Sequence, residues 1–113
     1  MEQLASDRNV YRFGEFTVDS SRACLLRADV AITLRPKSFD LLHYLVSHPG
    51  RVVGKDELLS AIWPQVIVTE DSLTRCVSEV RAALGDGTQQ MIKTVTRRGY
   101  LFALPVIDRK SVV

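Results

Sequence analysis

The sequence predicts an α+β domain in which an N-terminal antiparallel sheet, three helices and a C-terminal β-hairpin follow one another. Three observations carry that prediction. Apolar and polar residues alternate from Tyr11 to Leu34, the period of half-buried strands. From Pro36 to Leu84 the apolar spacing lengthens to that of amphipathic helices, interrupted at His48-Pro49-Gly50 and Trp63-Pro64. After Gly85 the alternation returns on both sides of Thr96-Arg97-Arg98-Gly99.

Bulk properties bound the function. The 113 residues are one domain's worth, with 46% hydrophobic and 25% charged residues, an ordinary globular balance. A formal net charge of +2 and a pI of about 8.7 make the chain mildly basic, compatible with a nucleic-acid partner. Cys24 and Cys76 are far apart, and Cys76 lies on an apolar stripe, which points to reduced thiols in a reducing compartment. His43 and His48 are the only histidines and no CxxC occurs, so no metal or other cofactor is expected. Without an 18-residue apolar run or a signal-peptide core, the chain is expected to be soluble and cytoplasmic.

Residues 1–9 read as a flexible lead. In the sheet region, 10–34, Tyr11 to Val18 reads as one strand broken at Gly14. Asp19-Ser20-Ser21 and Arg27-Ala28-Asp29 are turns between it and strands at Ala23–Leu26 and Val30–Leu34. Three helices are expected within 35–85. Pro36 suits the first residue of a helix, and Phe39, Leu42, His43, Leu45 and Val46 give that helix an apolar stripe. The second helix begins after Gly54, places Asp56 and Glu57 in its first turn, buries Leu58, Leu59, Ile62 and Trp63, and stops at Pro64.

The third helix is the most informative. Leu73, Cys76, Val77, Val80, Ala83 and Leu84 form one stripe, Thr69 stands at the N-cap, and Gly85 at the C-terminal stop. Its other face carries Asp71, Ser72, Thr74, Arg75, Ser78, Glu79 and Arg81. Taken alone, that face is either an ordinary solvated surface or one able to read base edges and phosphates. Its neighbours favour the second reading. A helix joined to it by the short Gln65–Val68 loop makes a helix-turn-helix. The hairpin 91–104 that follows is tipped by Arg97 and Arg98, a wing suited to a minor groove or a phosphate. The whole is a winged helix-turn-helix over 10–105, with 106–113 a tail or the start of a linker.

The chain resembles the winged-helix DNA-binding domain of OmpR/PhoB-type bacterial transcriptional regulators. The resemblance rests on Leu34-Arg35-Pro36-Lys37-Ser38-Phe39, Val53-Gly54-Lys55-Asp56-Glu57-Leu58, Ile62-Trp63-Pro64, the run Val68–Asp86, and Ile92-Lys93-Thr94-Val95-Thr96-Arg97-Arg98-Gly99-Tyr100. Asp71-Ser72-Leu73-Thr74-Arg75-Cys76-Val77-Ser78-Glu79 looks closest to the CadC/ToxR-like branch. That branch carries the domain at the N-terminus without a receiver, and often has a membrane helix behind it. Arg35 and Gly54 stand where the family usually caps its helices with Thr or Ser.

The resemblance implies double-stranded DNA as partner, with the third helix in the major groove and the wing at a minor groove. It implies self-association on direct-repeat half-sites, and contact with RNA polymerase through the Trp63–Val68 loop. Arg75, Ser78, Glu79 and Arg81 are assigned to bases or flanking phosphates, with Glu79 a candidate acceptor from a cytosine amino group. Ser72 and Thr74 are assigned to phosphate near the helix N-terminus, and Arg97 and Arg98 to the wing contact. Trp63 either donates its indole N–H to a phosphate or seals the core. The alternative function is a winged-helix protein–protein module that binds no DNA. No catalytic triad, carboxylate pair or phosphate-binding glycine loop is visible, so no enzyme and no small-molecule substrate are expected.

Overall fold

The computed structural model describes residues 10–108, and among them are eight strands and three helices. In chain order these are β1 (Val10–Phe13), β2 (Phe16–Asp19), β3 (Cys24–Arg27), β4 (Val30–Ile32), α1 (Pro36–Val46), β5 (Val52–Gly54), α2 (Lys55–Ile62), α3 (Glu70–Leu84), β6 (Ile92–Val95), β7 (Gly99–Phe102) and β8 (Ile107–Asp108). They form two antiparallel sheets, one ordered β4-β3-β2-β1-β8 and the other β5-β7-β6. The α+β class and the helix order expected from the sequence are both present.

The sheets differ from expectation in three places. The single strand read from Tyr11 to Val18 is a hairpin, with Tyr11 opposite Val18 and Phe13 opposite Phe16. Gly14 takes φ 58° at the first position of the two-residue loop, which turns the chain back instead of merely interrupting it. Val52–Gly54, read only as a lead into the second helix, pairs with β7 and makes the wing a three-stranded sheet. Ile107 and Asp108 pair with Arg12 and Tyr11, so regular structure continues past Pro105. The expected flexible lead and the chain after residue 108 lie outside the described residues.

One core joins the layers. The Phe13 ring lies 5.5 Å from Phe16 and 4.8 Å from Phe102, connecting the N-terminal sheet to the wing sheet. Leu41, Leu42, Leu45 and Val46 of α1, Leu58 and Ile62 of α2, and Leu73, Val77, Val80 and Leu84 of α3 are buried against them. The α3 stripe is the expected one, and burial of such an apolar face is what holds a short helix in place.

Helix ends show where the side chains help and where they do not. Gly85 adopts φ 68° and the Asp86 N–H donates to the Arg81 carbonyl at 2.8 Å, closing α3 as a glycine stop should. Thr69 is the N-cap residue of α3, yet its hydroxyl makes no capping bond. Neither Arg35 nor Gly54 caps its helix with a side chain. Lys37 offsets this at the far end of α2, where its ammonium donates to the Ile62 carbonyl at 2.7 Å.

Candidate nucleic-acid interface

The packing of α3 decides which side chains face outward. At about 3.6 residues per turn, Asp71, Thr74, Arg75, Ser78 and Ala82 form one exposed strip opposite the buried stripe. Ser72 and Glu79 lie on one flank of that strip and Arg81 on the other, and all three are half-buried. Each flank meets a different element.

Two residues assigned to DNA are engaged within the fold. The Glu79 carboxylate accepts a hydrogen bond from the buried Ser38 hydroxyl at 2.5 Å and forms an ion pair with Arg35 at the start of α1. Hydrogen bonds from Arg35 and then Ser38 hold its pKa below the ordinary value of 4.5, so it is a firm carboxylate. Glu79 thus has partners on α1 within the fold, where its assignment from the sequence had it accept from a cytosine amino group. Arg81 likewise donates to the Ile92 carbonyl through Nε at 3.2 Å and Nη2 at 2.6 Å, and to Thr94 Oγ1 at 2.9 Å. It braces α3 to β6, a partner no helical period could reveal.

On the Glu79 flank, the start of α1, the end of α2 and the first turns of α3 enclose a groove of about 480 Å³. Trp63, Ser72 and Arg75 line it, together with Arg35 and Lys37, which were absent from the residues singled out for DNA. Trp63 packs against the core and also borders the groove. A signal for Arg35 was present in the sequence. A cation immediately before a helix opposes the helix dipole and calls for a partner elsewhere.

On the other flank, the wing is fastened at three points. Asp86 is 3% exposed, and its carboxylate accepts the backbone N–H groups of Gln90 at 2.8 Å, Met91 at 3.1 Å and Ile92 at 3.0 Å. The Lys55 N–H donates to the Arg98 carbonyl at 3.2 Å, while the Lys55 ammonium lies 3.4 Å from Glu70 at the start of α3. Gly99 lets β7 approach β5, since a Cβ there would stand 1.9 Å from the Val53 carbonyl oxygen. The left-handed residue in the wing turn is Arg97, at φ 66°. Steric approach, more than a turn, is thus what demands glycine at 99.

Five of the predicted residues stay at the surface. Thr74, Arg75, Ser78, Arg97 and Arg98 are exposed, and among the described residues the side chains of Arg75, Arg97 and Arg98 make no hydrogen bond or ion pair. An exposed guanidinium with five unengaged donors is suited to phosphate oxygens or a guanine edge. The exposed Asp71 opposes that charge near the start of the strip.

Known proteins share this fold. Residues 29–102 match the family model described as "Transcriptional regulatory protein, C terminal". The chain is 38% identical over 101 residues to the transcriptional activator CadC of Escherichia coli (strain K12), covering 87% of this chain and 20% of that protein. It is 36% identical over 84 residues to the transcriptional regulator HilA of Salmonella typhi, covering 74% of this chain and 15% of that one. The chain thus spans about a fifth or less of these relatives. Among solved structures, the DNA-binding domain of E. coli CadC superposes with TM-score 0.76 at 38% identity, covering 87% of this chain and 94% of that one. The Klebsiella pneumoniae RstA DNA-binding domain, in complex with the RstA box, gives TM-score 0.73 at 30% identity, covering 83% and 96%. With fold, wing and helix order in agreement, the chain belongs to the OmpR/PhoB-type winged-helix DNA-binding domains of transcriptional regulators.

Proposed function

We propose that this domain binds double-stranded promoter DNA in the cytoplasm with α3 in the major groove and the Thr96–Arg98 turn at an adjacent minor groove. The carrying observation is the outward strip of α3, free of packing and bearing Thr74, Arg75 and Ser78, with unpaired Arg97 and Arg98 on the wing beside it. In this reading Arg75 and Ser78 read bases. Ser72, Thr74 and the Trp63 indole N–H meet phosphates, and Arg97 and Arg98 hold the backbone from the wing. Glu79 and Arg81 set the orientation of α3 instead of reading sequence. The proposed chemistry is binding alone, without a catalytic step or a small-molecule substrate.

Protein contacts extend this reading. In the α2–α3 loop Val66 is 60% and Ile67 100% exposed, unusual for aliphatic side chains with no core to join. We assign this tip to RNA polymerase, and tandem occupancy of direct repeats to self-association on DNA. The exposed tip favours a protein contact.

Selection of bound sequences from random duplexes tests the function. The expected result is one enriched half-site or a direct repeat of it. Arg98→Ala should weaken binding to every sequence and reduce the slope of log K against log salt by about one. No enrichment, with no salt-sensitive retardation of any duplex, would leave the protein-contact module standing alone.

A further inference from the structure

We propose that Arg35 is a phosphate-contacting residue on the side of α3 away from the wing, and that Glu79 holds it in reserve until DNA arrives. The inference rests on the DNA-binding reading of α3 and names a residue and a device that reading does not contain.

The position of Arg35 is unexplained by its own helix. It precedes Pro36 at the start of α1, where positive charge opposes the dipole and no side-chain cap is made. Its side chain is 67% exposed, crosses to α3, and borders both grooves along that flank. One groove also carries Trp63, Ser72 and Arg75, so Arg35 extends a cationic edge already next to the reading strip. The wing supplies cations to one border of a major groove. Arg35 and Arg75 supply them to the other.

The bond to Glu79 is suited to exchange. Ion pairing with Glu79 engages one of the guanidinium nitrogens, leaving donors of the fork for a phosphate. Exposed ion pairs add little stability, so giving one up costs little. The carboxylate is not stranded when Arg35 turns away, because the buried Ser38 hydroxyl still donates to it. Before binding, the pair cancels a positive charge that would otherwise draw the domain to any duplex. On binding, Arg35 moves its fork from carboxylate to phosphate. Glu79 is thus a restraint on non-specific attraction, and its effect runs through Arg35.

Three variants of the chain test this, with affinity for a random-sequence duplex pool measured across a salt series. Glu79→Gln keeps an acceptor for Ser38 and removes the charge. It should bind roughly threefold to tenfold more tightly at low salt, with a steeper slope than the wild type. Arg35→Gln should bind more weakly, with a slope shallower by about one. In the double variant the gain from Glu79→Gln should disappear. If that gain persists without Arg35, Glu79 acts by simple repulsion and the reserve mechanism is overturned. An unchanged slope in Arg35→Gln removes Arg35 from the phosphate contacts. This second variant decides even if Glu79→Gln lowers the thermal midpoint, since Arg35 is exposed. A wild-type chain that retards no duplex overturns the DNA-binding reading and this inference with it, whereas normal wild-type binding with unaltered variants overturns only the inference.

Discussion

Arg97 is where backbone strain and the proposed DNA contact meet at a single position. It sits at φ 66° in a turn closed by the Arg98 N–H on the Val95 carbonyl at 2.9 Å, where glycine or asparagine is preferred. A side chain held in that region costs about 1 kcal/mol or more, and such strain is tolerated where the side chain serves a purpose. Arg97→Gly should therefore raise the thermal midpoint by a few degrees, on the order of 4 °C for a domain this size, while weakening DNA binding. A variant that is no more stable, or that binds as tightly as the wild type, contradicts this account. Glu79 and Arg81 make the complementary point. Both lie on the polar side of α3, yet their partners are 41 and 11 residues away, on α1 and in the wing strand.

At the scale of elements, the wing is positioned by its fastening to α3 as much as by its own hairpin. Asp86 gathers three consecutive N–H groups immediately after the α3 stop, fixing how the loop enters β6. Asp86→Ala would leave those donors inside the protein without an acceptor. A loss of about 3 kcal/mol is expected, since buried groups bonded to a carboxylate are costly to orphan. Urea unfolding measures it directly. A change below about 1 kcal/mol would mean that water replaces the carboxylate, and the wing would then owe its position to Arg81 and Gly99. The strand β5 belongs to the same argument. Three residues, Val52–Gly54, are too short to announce a strand by alternation, and they become one only because Gly99 admits β7 at close range.

Across the whole molecule, stability should fall with acid in two stages. Burial chiefly holds the pKa of the His43 imidazolium below its ordinary value of 6.5, with Asp40 opposing the effect and His48 adding to it. Its ring lies 5.6 Å from Tyr11 and 6.1 Å from Phe39, between the N-terminal sheet and α1, and its Nε2 is buried without a hydrogen-bond partner among the described residues. The folded state therefore resists protonating it. The stability this contributes is complete above about pH 7 and declines as pH falls from 6.5 through the lower folded value. Glu57, held at about 2 by hydrogen bonds from Arg51 and Tyr44, and Glu79 contribute a second decline. It begins below their ordinary 4.5 and runs through their folded values. Thermal midpoints measured from pH 8 to pH 3 should show both stages. His43→Phe should abolish the first and leave the second; persistence of the first stage would assign it to another group.

Most of the architecture was written locally. Helix faces, the glycine stop at Gly85, the proline limits at Pro36 and Pro64, and the exposed arginines of the wing all follow from residues a few positions apart, because period, caps and backbone restrictions act at that range. The family resemblance extends them to the whole chain. The site was legible in outline and not in detail. Thr74, Arg75 and Ser78 fall on the outward strip of α3, while Glu79 and Arg81, alike in polarity and spacing, are claimed by Arg35, Ser38, Ile92 and Thr94. The short β5 and β8, the grouping of Arg35 with Trp63 and Arg75, and the carboxylate of Asp86 beneath the wing also arose from packing. Periodicity says which way a side chain points. Which polar group it meets there depends on distant segments brought alongside by the core.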